Sequence, residues 1–201
     1  VTCTVENRRN EKMTQQIKIN VNNNIANLGT PICTIMEPIG GGNKDINIIR
    51  DGNTSNLFVS EQYDTFSYGG GGITNYIGYE FKDEHLINQV VFTEGMHYPD
   101  GGWFENGDLT LQGYREGTWE NIELLPSSDK YTNGNTQNDF GAPFETFVFN
   151  FKPISVSKIR LIGTAGGSHK FISVSELQVN ECTENVLPGE VSLILTDSCG
   201  T

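Results

Sequence analysis

Residues 87–125 read INQVVFTEGMHYPDGGWFENGDLTLQGYREGTWENIELL, and this stretch decides the fold class. An apolar run of strand length at 90–92 opens it. Apolar and polar residues then alternate from Leu109 to Tyr114, and a return segment begins at Trp119 after the turn Glu116-Gly117. Period-two alternation on both sides of a two-residue turn is typical of a β-hairpin. The stretch therefore predicts strands on either side of a long loop.

The loop between these strands carries an unusual set of side chains. It contains His97, Tyr98, Trp103 and Phe104 with acidic residues before and within it. Binding groups concentrate in loops that a rigid sheet holds in place. We therefore interpret the hairpin region as a scaffold that presents a binding loop.

The composition of the whole chain agrees with an all-β fold. The 201 residues include 23 glycines, and short apolar runs alternate with turn signals along the sequence. Glycine-rich turns between short strands are typical of an antiparallel β-sandwich or jelly roll, and the length suits one large β domain. No apolar run approaches the length of a membrane span.

The formal net charge of −12 restricts the partners. Nucleic-acid binding draws much of its affinity from Lys and Arg, so a polyanion is disfavoured as a ligand. Anionic membrane surfaces are disfavoured for the same reason, and no membrane insertion is expected. Neutral glycans, peptides and divalent cations remain.

The four cysteines lie near the two ends of the chain, at positions 3, 33, 182 and 199. No C-x-x-C pair is present, so the spacing is not that of a zinc site. The even number favours one or two disulfides in a secreted protein. We expect Cys3 or Cys33 to pair with Cys182 or Cys199, and buried free thiols are the alternative.

Six short motifs occur in an order that resembles the discoidin-like (factor 5/8 type C) domains, especially the bacterial family 32 carbohydrate-binding modules. They are NIA at 24–26, IRDG at 49–52, QYDT at 62–65, YIGYEF at 76–81, EG at 94–95 with DGGWF at 100–104, and FISVSEL at 171–177. The resemblance covers residues 24–180. Residues 1–23 and 181–201 are predicted to be N-terminal and C-terminal extensions.

The resemblance implies a galactose-binding-domain-like β-sandwich with ligand loops at one end, closed by strands near residues 24 and 180. Relatives of this kind are often attached to secreted glycoside hydrolases. The resemblance therefore implies a secreted or cell-surface protein, which is a piece of a larger multidomain protein in many such cases. It also implies a structural calcium ion.

The candidate calcium ligands are Asp51, Asn53, Thr54 and Glu176. Calcium takes several oxygen ligands, and the sequence Asp-Gly-Asn-Thr-Ser at 51–55 supplies side-chain and carbonyl oxygens from one turn. Glu176 lies in the segment 171–179, which otherwise consists of residues that favour a strand, so a carboxylate is unexpected there. The alternative is an Asx turn beside a surface glutamate.

The candidate ligand contacts are Asp64, Glu94, His97, Tyr98, Trp103 and Phe104. Aromatic rings stack on the apolar faces of a sugar, while carboxylates and imidazole pair with its hydroxyls. Loops 62–68, 94–104 and 166–171 are expected to meet in a shallow site for a terminal galactose- or hexosamine-like sugar. Trp103 or Phe104 supplies the platform, or Tyr98 if both are buried.

Two other functions remain open. Glu94 and Asp100 could act as the acid and base of a small glycan-active enzyme. A cell-surface adhesion domain that binds protein or lipid is the second alternative. Ser168 and His169 are neighbours in sequence, which does not suit a nucleophile and its base, and we interpret them as a turn. A non-catalytic carbohydrate-binding module is favoured.

Overall fold

The structure is a computed structural model that describes residues 2–6, 12–16, 23–53, 59–68, 72–133 and 145–182. Within this part of the chain no helix is long and apolar enough to cross a membrane. Residues 23–182 form one compact unit. Strands β1 (Thr2–Glu6) and β2 (Lys12–Gln16) form a separate antiparallel pair.

The described residues of the compact unit form strands and three short 3-10 helices. The strands are β3 (Asn23–Asn24), β4 (Thr30–Cys33), β5 (Tyr63–Asp64), β6 (Thr74–Glu94), β7 (Thr110–Arg115), β8 (Thr118–Asn121), β9 (Thr146–Thr164) and β10 (Ser173–Glu181). The 3-10 helices are Ala26–Leu28, Ile46–Arg50 and Val59–Glu61. All pairings between the named strands are antiparallel, as the sequence predicts.

Two long strands, β6 and β9, pair with each other along most of their length and build both layers of the sandwich. The first half of β6 lies between β4 and β9, and its second half lies between β10 and β9. The pairing slips between Glu80 and His85, where β6 carries extra residues. Such bulges bend a strand, so the sheet curls over its own core. The predicted antiparallel β-sandwich is confirmed.

The core lies between the two layers and is rich in aromatic side chains. Phe92 on β6 faces Phe147 on β9 in the register, and their rings stack at 6.3 Å. Phe149 continues the stack along β9. Each fully buried apolar side chain of this size contributes about 1.5–3 kcal/mol by leaving water. The alternation of buried and exposed residues along these strands is therefore the main source of the fold's stability.

The hairpin that the sequence predicts is present as β7 and β8. Its two turn residues, Glu116 and Gly117, have φ values of 48° and 84°. Positive φ at both central positions defines a type I′ turn, whose twist matches the twist of the flanking strands. Arg115 and Thr118 face each other across this turn.

The two ends of the discoidin-like segment lie side by side. Asn24 of β3 pairs with Asn180 of β10, and the amide oxygen of Asn24 accepts from the Val179 backbone N–H at 3.2 Å. This agrees with the expectation that the first and last strands close the sandwich. The exact limits of the extensions, 1–23 and 181–201, stay a prediction.

The disulfide prediction is wrong for two of the four cysteines. Cys33 and Cys182, both within the described residues, are free thiols. Cys33 ends β4 opposite Ile77, whereas the Cys182 N–H donates to Leu86. These two partners are nine residues apart on β6, and the Cys33 thiol donates to the Ile35 carbonyl at 2.9 Å instead of bonding to Cys182. The side chain of Cys3, like Cys199, lies outside what the structure describes.

Candidate functional site

Three loops meet at one end of the sandwich, as expected from the sequence. Their backbones are joined directly: Thr65 donates to Ile172 at 3.0 Å, Gly102 donates to Phe171 at 2.9 Å, and His169 donates to Asp100 at 2.9 Å. Gly101 and Gly102 have φ values of 156° and 118°, which favour glycine. A Cβ atom on Gly101 would lie 2.5 Å from the Phe171 ring, so the loops could not approach with a larger residue there.

A pocket of about 150 Å³ lies where these loops meet. Its lining consists of two glycines, two carboxylates and three aromatic side chains: Gly40, Gly41, Asp64, Phe66, Tyr98, Asp100 and Phe171. Aromatic rings beside hydrogen-bonding groups in one concave site are the usual equipment for binding a small polar ligand. Of the predicted contacts, Asp64 and Tyr98 line this pocket.

Asp64 is a buried part of the pocket wall. One carboxylate oxygen accepts from the Gly42 N–H at 2.7 Å, and the other accepts from the Phe66 N–H at 3.1 Å. Gly40 packs so closely that a Cβ atom there would lie 2.2 Å from the same carboxylate. Asp64 therefore fixes the shape of the glycine loop while its edge faces the pocket.

Tyr98 is the aromatic residue of the predicted set that reaches the pocket. Its hydroxyl accepts from the side-chain amide of the buried Gln62 at 3.1 Å, and its ring lies 6.1 Å from Phe171. Burial raises the pKa of Tyr98, and the nearby charges of Asp64 and Asp100 raise it further. The hydroxyl therefore stays protonated at any physiological pH, and it donates to Met96 Sδ at 3.6 Å.

Asp100 and His169 form a polar pair at the rim. Nδ1 of His169 lies 3.0 Å from Oδ2 of Asp100, and their side chains are 48% and 39% exposed. This exposure leaves hydrogen-bonding capacity for a ligand. Ser168 Oγ lies 3.4 Å from the same ring nitrogen, but this contact joins neighbouring residues on an exposed turn.

Phe66 is the centre of an aromatic cluster at this end of the molecule. Its ring contacts Phe171 at 5.3 Å, His169 at 5.4 Å and Tyr68 at 5.2 Å. Edge-to-face pairs of this kind each add about 0.5–1.5 kcal/mol beyond the burial of their surface. The contact with Phe171 therefore orients two rings of the pocket wall, whereas Tyr68 packs against Phe66 without lining the pocket.

Glu94 and His97 lie behind the pocket, not on its surface. Their side chains are 1% and 0% exposed, and Glu94 Oε1 is 3.3 Å from His97 Nε2. The same oxygen accepts from the Tyr131 hydroxyl at 2.6 Å, which in turn accepts from the Phe104 N–H at 3.0 Å. Burial raises the pKa of Glu94, and the contacts with His97 and Tyr131 oppose that rise. Their direct contact with a ligand stays a prediction, and their burial favours a supporting role.

Trp103 and Phe104 are both buried, so neither offers a platform at the surface. The Trp103 ring packs 5.6 Å from His97, and Phe104 joins the aromatic core beside Phe92 and Tyr131. Strand-like alternation predicts that one of the two faces the core. Both are buried because the loop folds back over the sandwich and the turn at Gly166 covers the Trp103 ring. Tyr98 therefore stays the predicted platform.

The candidate calcium ligands divide between a turn and a strand. Asp51 Oδ1 accepts from the Asn53 N–H at 2.8 Å, and Glu176 Oε2 accepts from the Gly52 N–H at 3.3 Å. Glu176 is buried, and its Oε1 has no hydrogen-bond partner within the described part of the chain. Burial raises the pKa of Glu176 to about 7, and the charge of Asp51 adds to this shift. Thr54 lies outside the described residues.

These oxygens fit a hard cation in their chemistry. A buried carboxylate oxygen without a partner, beside a second carboxylate, is stabilised by a bound cation. No group of three or more His, Cys, Asp or Glu side chains is placed to hold a metal among the residues that the structure describes. A calcium ion here would therefore depend on backbone and amide oxygens of the 51–53 turn as well.

A second cavity, of about 300 Å³, lies beside β7 and the segment 124–131. Its lining is largely leucine, with Phe149, Tyr131 and Pro126. Two of its polar side chains already bond to β9: Asp129 accepts from the Val148 N–H, and Ser128 bonds to the backbone of Asn150. This cavity offers few groups for sugar hydroxyls, so the smaller pocket is the better candidate site.

Sequence reasoning missed most of the pocket wall. Phe66 and Phe171 lie within the predicted loops 62–68 and 166–171 but are not among the predicted contacts, and Gly40-Gly41 is recognisable only as a glycine turn. His169 was interpreted as part of a turn. Only contacts across the fold bring these residues to Tyr98 and Asp100, and a single sequence does not contain that information. Three aromatic residues at 63–68 were the available signal.

No protein-family model and no curated protein matches the chain significantly. Solved structures match its fold. A family 32 carbohydrate-binding module of Clostridium perfringens NanJ, in complex with galactose, gives a TM-score of 0.56 at 15% identity, over 80% of this chain and 100% of that one. The module CpGH89CBM32-5 of C. perfringens, in complex with GalNAc-β-1,3-galactose, gives a TM-score of 0.55 at 15% identity, over 78% of this chain and 99% of that one.

A structure from the Streptococcus pneumoniae β-galactosidase BgaA gives a TM-score of 0.54 at 12% identity, over 75% of this chain and 89% of that one. Identities this low establish a shared fold. The chain therefore has the discoidin-like β-sandwich of family 32 carbohydrate-binding modules.

Proposed function

We propose that this protein is a non-catalytic carbohydrate-binding module that holds a terminal galactose- or hexosamine-like sugar in the pocket between its loops. The observation that carries the proposal is the pocket itself. It combines the rings of Phe66, Tyr98 and Phe171 with the carboxylates of Asp64 and Asp100 in a volume of about 150 Å³.

Each part of the pocket matches a part of a sugar. The apolar C–H face of a pyranose stacks on the Tyr98 ring, and its hydroxyls donate to the Asp100 carboxylate and pair with His169. Hydrogen bonds to charged groups contribute about 1.5–3 kcal/mol each before ordering costs. One ring and a few such bonds in a shallow pocket correspond to micromolar to millimolar affinity.

The fold comparisons support this proposal. Two of the structurally similar modules were solved with galactose and with GalNAc-β-1,3-galactose, which motivates the choice of sugar. Weak binding of this kind is useful when a module keeps an attached enzyme near its substrate by raising the effective concentration. We therefore propose a secreted or cell-surface setting within a larger protein.

The enzyme alternative has less support. Glu94 is buried and bonded to Tyr131, whereas Asp100 lines the pocket at its rim. A glycosidase places both carboxylates at the same scissile bond. The two candidate residues therefore do not share an open cleft, and a binding role fits Asp100 better. An adhesion domain would need a surface for protein or lipid, and no observation favours that over the sugar pocket.

We also propose that a calcium ion, when bound, is held by Asp51, Glu176 and oxygens of Asn53 and Thr54. Two observations support this: among the described residues Glu176 Oε1 has no hydrogen-bond partner, and the charge of Asp51 acts on the Glu176 carboxyl. The ion would neutralise two carboxylates and join the turn to β10. Its role is structural, because these residues do not line the sugar pocket.

A glycan array with and without a calcium chelator tests the proposed function. We expect binding to glycans that end in galactose or N-acetylgalactosamine. Asp100→Asn should weaken it tenfold or more, while the matched control Asp83→Asn, on the exposed bulge of β6, should not. An array on which no glycan is bound would overturn the proposal, and turnover of aryl glycosides would overturn its non-catalytic part.

A further inference from the structure

Tyr68 is the most exposed large hydrophobic side chain among the described residues. It is 79% exposed, although it sits at the sugar-binding end of the molecule. A single exposed aromatic residue needs no functional explanation. Tyr68 is different because its ring packs edge-to-face against Phe66, a wall of the pocket, at 5.2 Å and an interplanar angle of 76°. Its position is therefore defined relative to the pocket.

The backbone next to Tyr68 is fixed on the sandwich. Phe66 accepts through its carbonyl from the Ile39 N–H at 3.0 Å. The Thr65 hydroxyl donates to the buried Asn75 at 2.7 Å, and the Asn75 amide donates to the carbonyl of Lys170 at 3.1 Å. The segment that leads to Tyr68 is thus tied to β6 and to the 165–171 loop. A backbone fixed in this way reduces the freedom that the segment loses when Tyr68 binds a ligand.

Tyr68 does not itself line the pocket, and Phe66 lies between the two. An aromatic face beside a one-sugar pocket is suited to stack on the next sugar of the same glycan. We propose that Tyr68 forms a second sugar subsite, so that the protein binds a terminal disaccharide more tightly than the terminal sugar alone. The inference rests on the proposed function, since it assumes that the pocket holds the terminal sugar.

Calorimetric titrations with methyl β-galactoside, N-acetylgalactosamine and GalNAc-β-1,3-galactose test this inference. The disaccharide should bind about fivefold to tenfold more tightly than the better monosaccharide, which is about 1–1.4 kcal/mol. Tyr68→Ala should remove that advantage and leave the monosaccharide affinity unchanged within twofold. Tyr68→Phe should keep it, because the stacking face is retained.

Leu28→Ala is the matched control. Leu28 is 63% exposed and lies near the far end of β10, so its replacement should alter neither affinity. The inference is overturned if the disaccharide has no advantage, or if Tyr68→Ala weakens both classes of ligand equally. If a monosaccharide still binds in either case, the proposed function stands and only the second subsite is refuted. If none of the three sugars binds, both the inference and the galactose-type assignment fail.

Discussion

The hydroxyl of Tyr131 should support the 94–104 loop from behind, and its removal tests that role. It donates to the buried Glu94 carboxylate at 2.6 Å and accepts from the Phe104 N–H at 3.0 Å. Tyr131→Phe removes both bonds but keeps the ring, which packs 4.9 Å from Phe147 and 6.2 Å from Phe104. The packing is retained, so the measured change isolates the hydroxyl.

The magnitude follows from the two groups left without a partner. Loss of a hydrogen bond to a charged group costs about 1.5–3 kcal/mol, and a buried N–H without an acceptor costs about 1–3 kcal/mol. We expect the free energy of unfolding to fall by about 3 kcal/mol at pH 8. The fall should be smaller at acidic pH, because the Tyr131 bond lowers the pKa of Glu94 and a protonated Glu94 needs this donor less.

Urea denaturation of wild type and Tyr131→Phe at pH 5 and pH 8 measures this change. Tyr114→Phe is the control, since its ring lies on the outer face of the hairpin under Lys158 and should give a change within about 0.5 kcal/mol. Sugar affinity should also fall, because the 94–104 loop loses an anchor. A change below 1 kcal/mol for Tyr131→Phe at both pH values would refute the supporting role.

Three further predictions test other parts of the structure. The pKa of Glu94 is raised in the folded state, so Glu94 contributes to the free energy of unfolding below about pH 4.3, and this contribution is lost as pH rises. Between pH 4 and 8, the wild type should therefore lose stability relative to Glu94→Gln. Parallel stability profiles of the two proteins would contradict this. Calcium at 100 times its dissociation constant should stabilise the protein by about 2.7 kcal/mol. Thermal denaturation with and without chelator should show this gain in wild type but not in Glu176→Gln. The absence of a gain in wild type would exclude the site. Gly40→Ala should weaken galactose binding tenfold or more, because the added Cβ would lie 2.2 Å from the Asp64 carboxylate. An unchanged affinity, measured by calorimetry, would contradict the position of Gly40 in the pocket wall.

The fold could be predicted because local patterns determine it. Alternation in 109–114 and the turn at Glu116-Gly117 indicate the hairpin directly, and the order of short motifs indicates the sandwich. The continuity of β9 is not evident from the local sequence, because a link that contains Pro153 separates its apolar runs at 146–151 and 158–163. The link between them, 152–157, remains extended because it continues to pair with β6. That pairing is a tertiary contact which the local sequence does not reveal.

The site was predicted at the level of loops and less well at the level of side chains. A loop rich in His, Trp and Glu suggests exposed contacts, yet Glu94, His97 and Trp103 are buried. Gly166 packs against the Trp103 ring, the Trp103 ring packs beside His97, and Tyr131 from a distant segment bonds to Glu94. Polar residues in a loop can therefore serve the internal hydrogen-bond network of that loop. Nothing in a single sequence distinguishes this from ligand contact.

The central claim is that sugar binds between Tyr98, Asp100 and Phe171. Amide chemical-shift mapping during titration with galactose and N-acetylgalactosamine tests it most directly. We predict saturable shifts at residues 40–41, 64–66, 98–102 and 168–171, with no shifts in the β7–β8 hairpin or around the cavity at 124–131. Saturable shifts confined to the hairpin or to that cavity, or no saturable shifts with either sugar, would contradict the account.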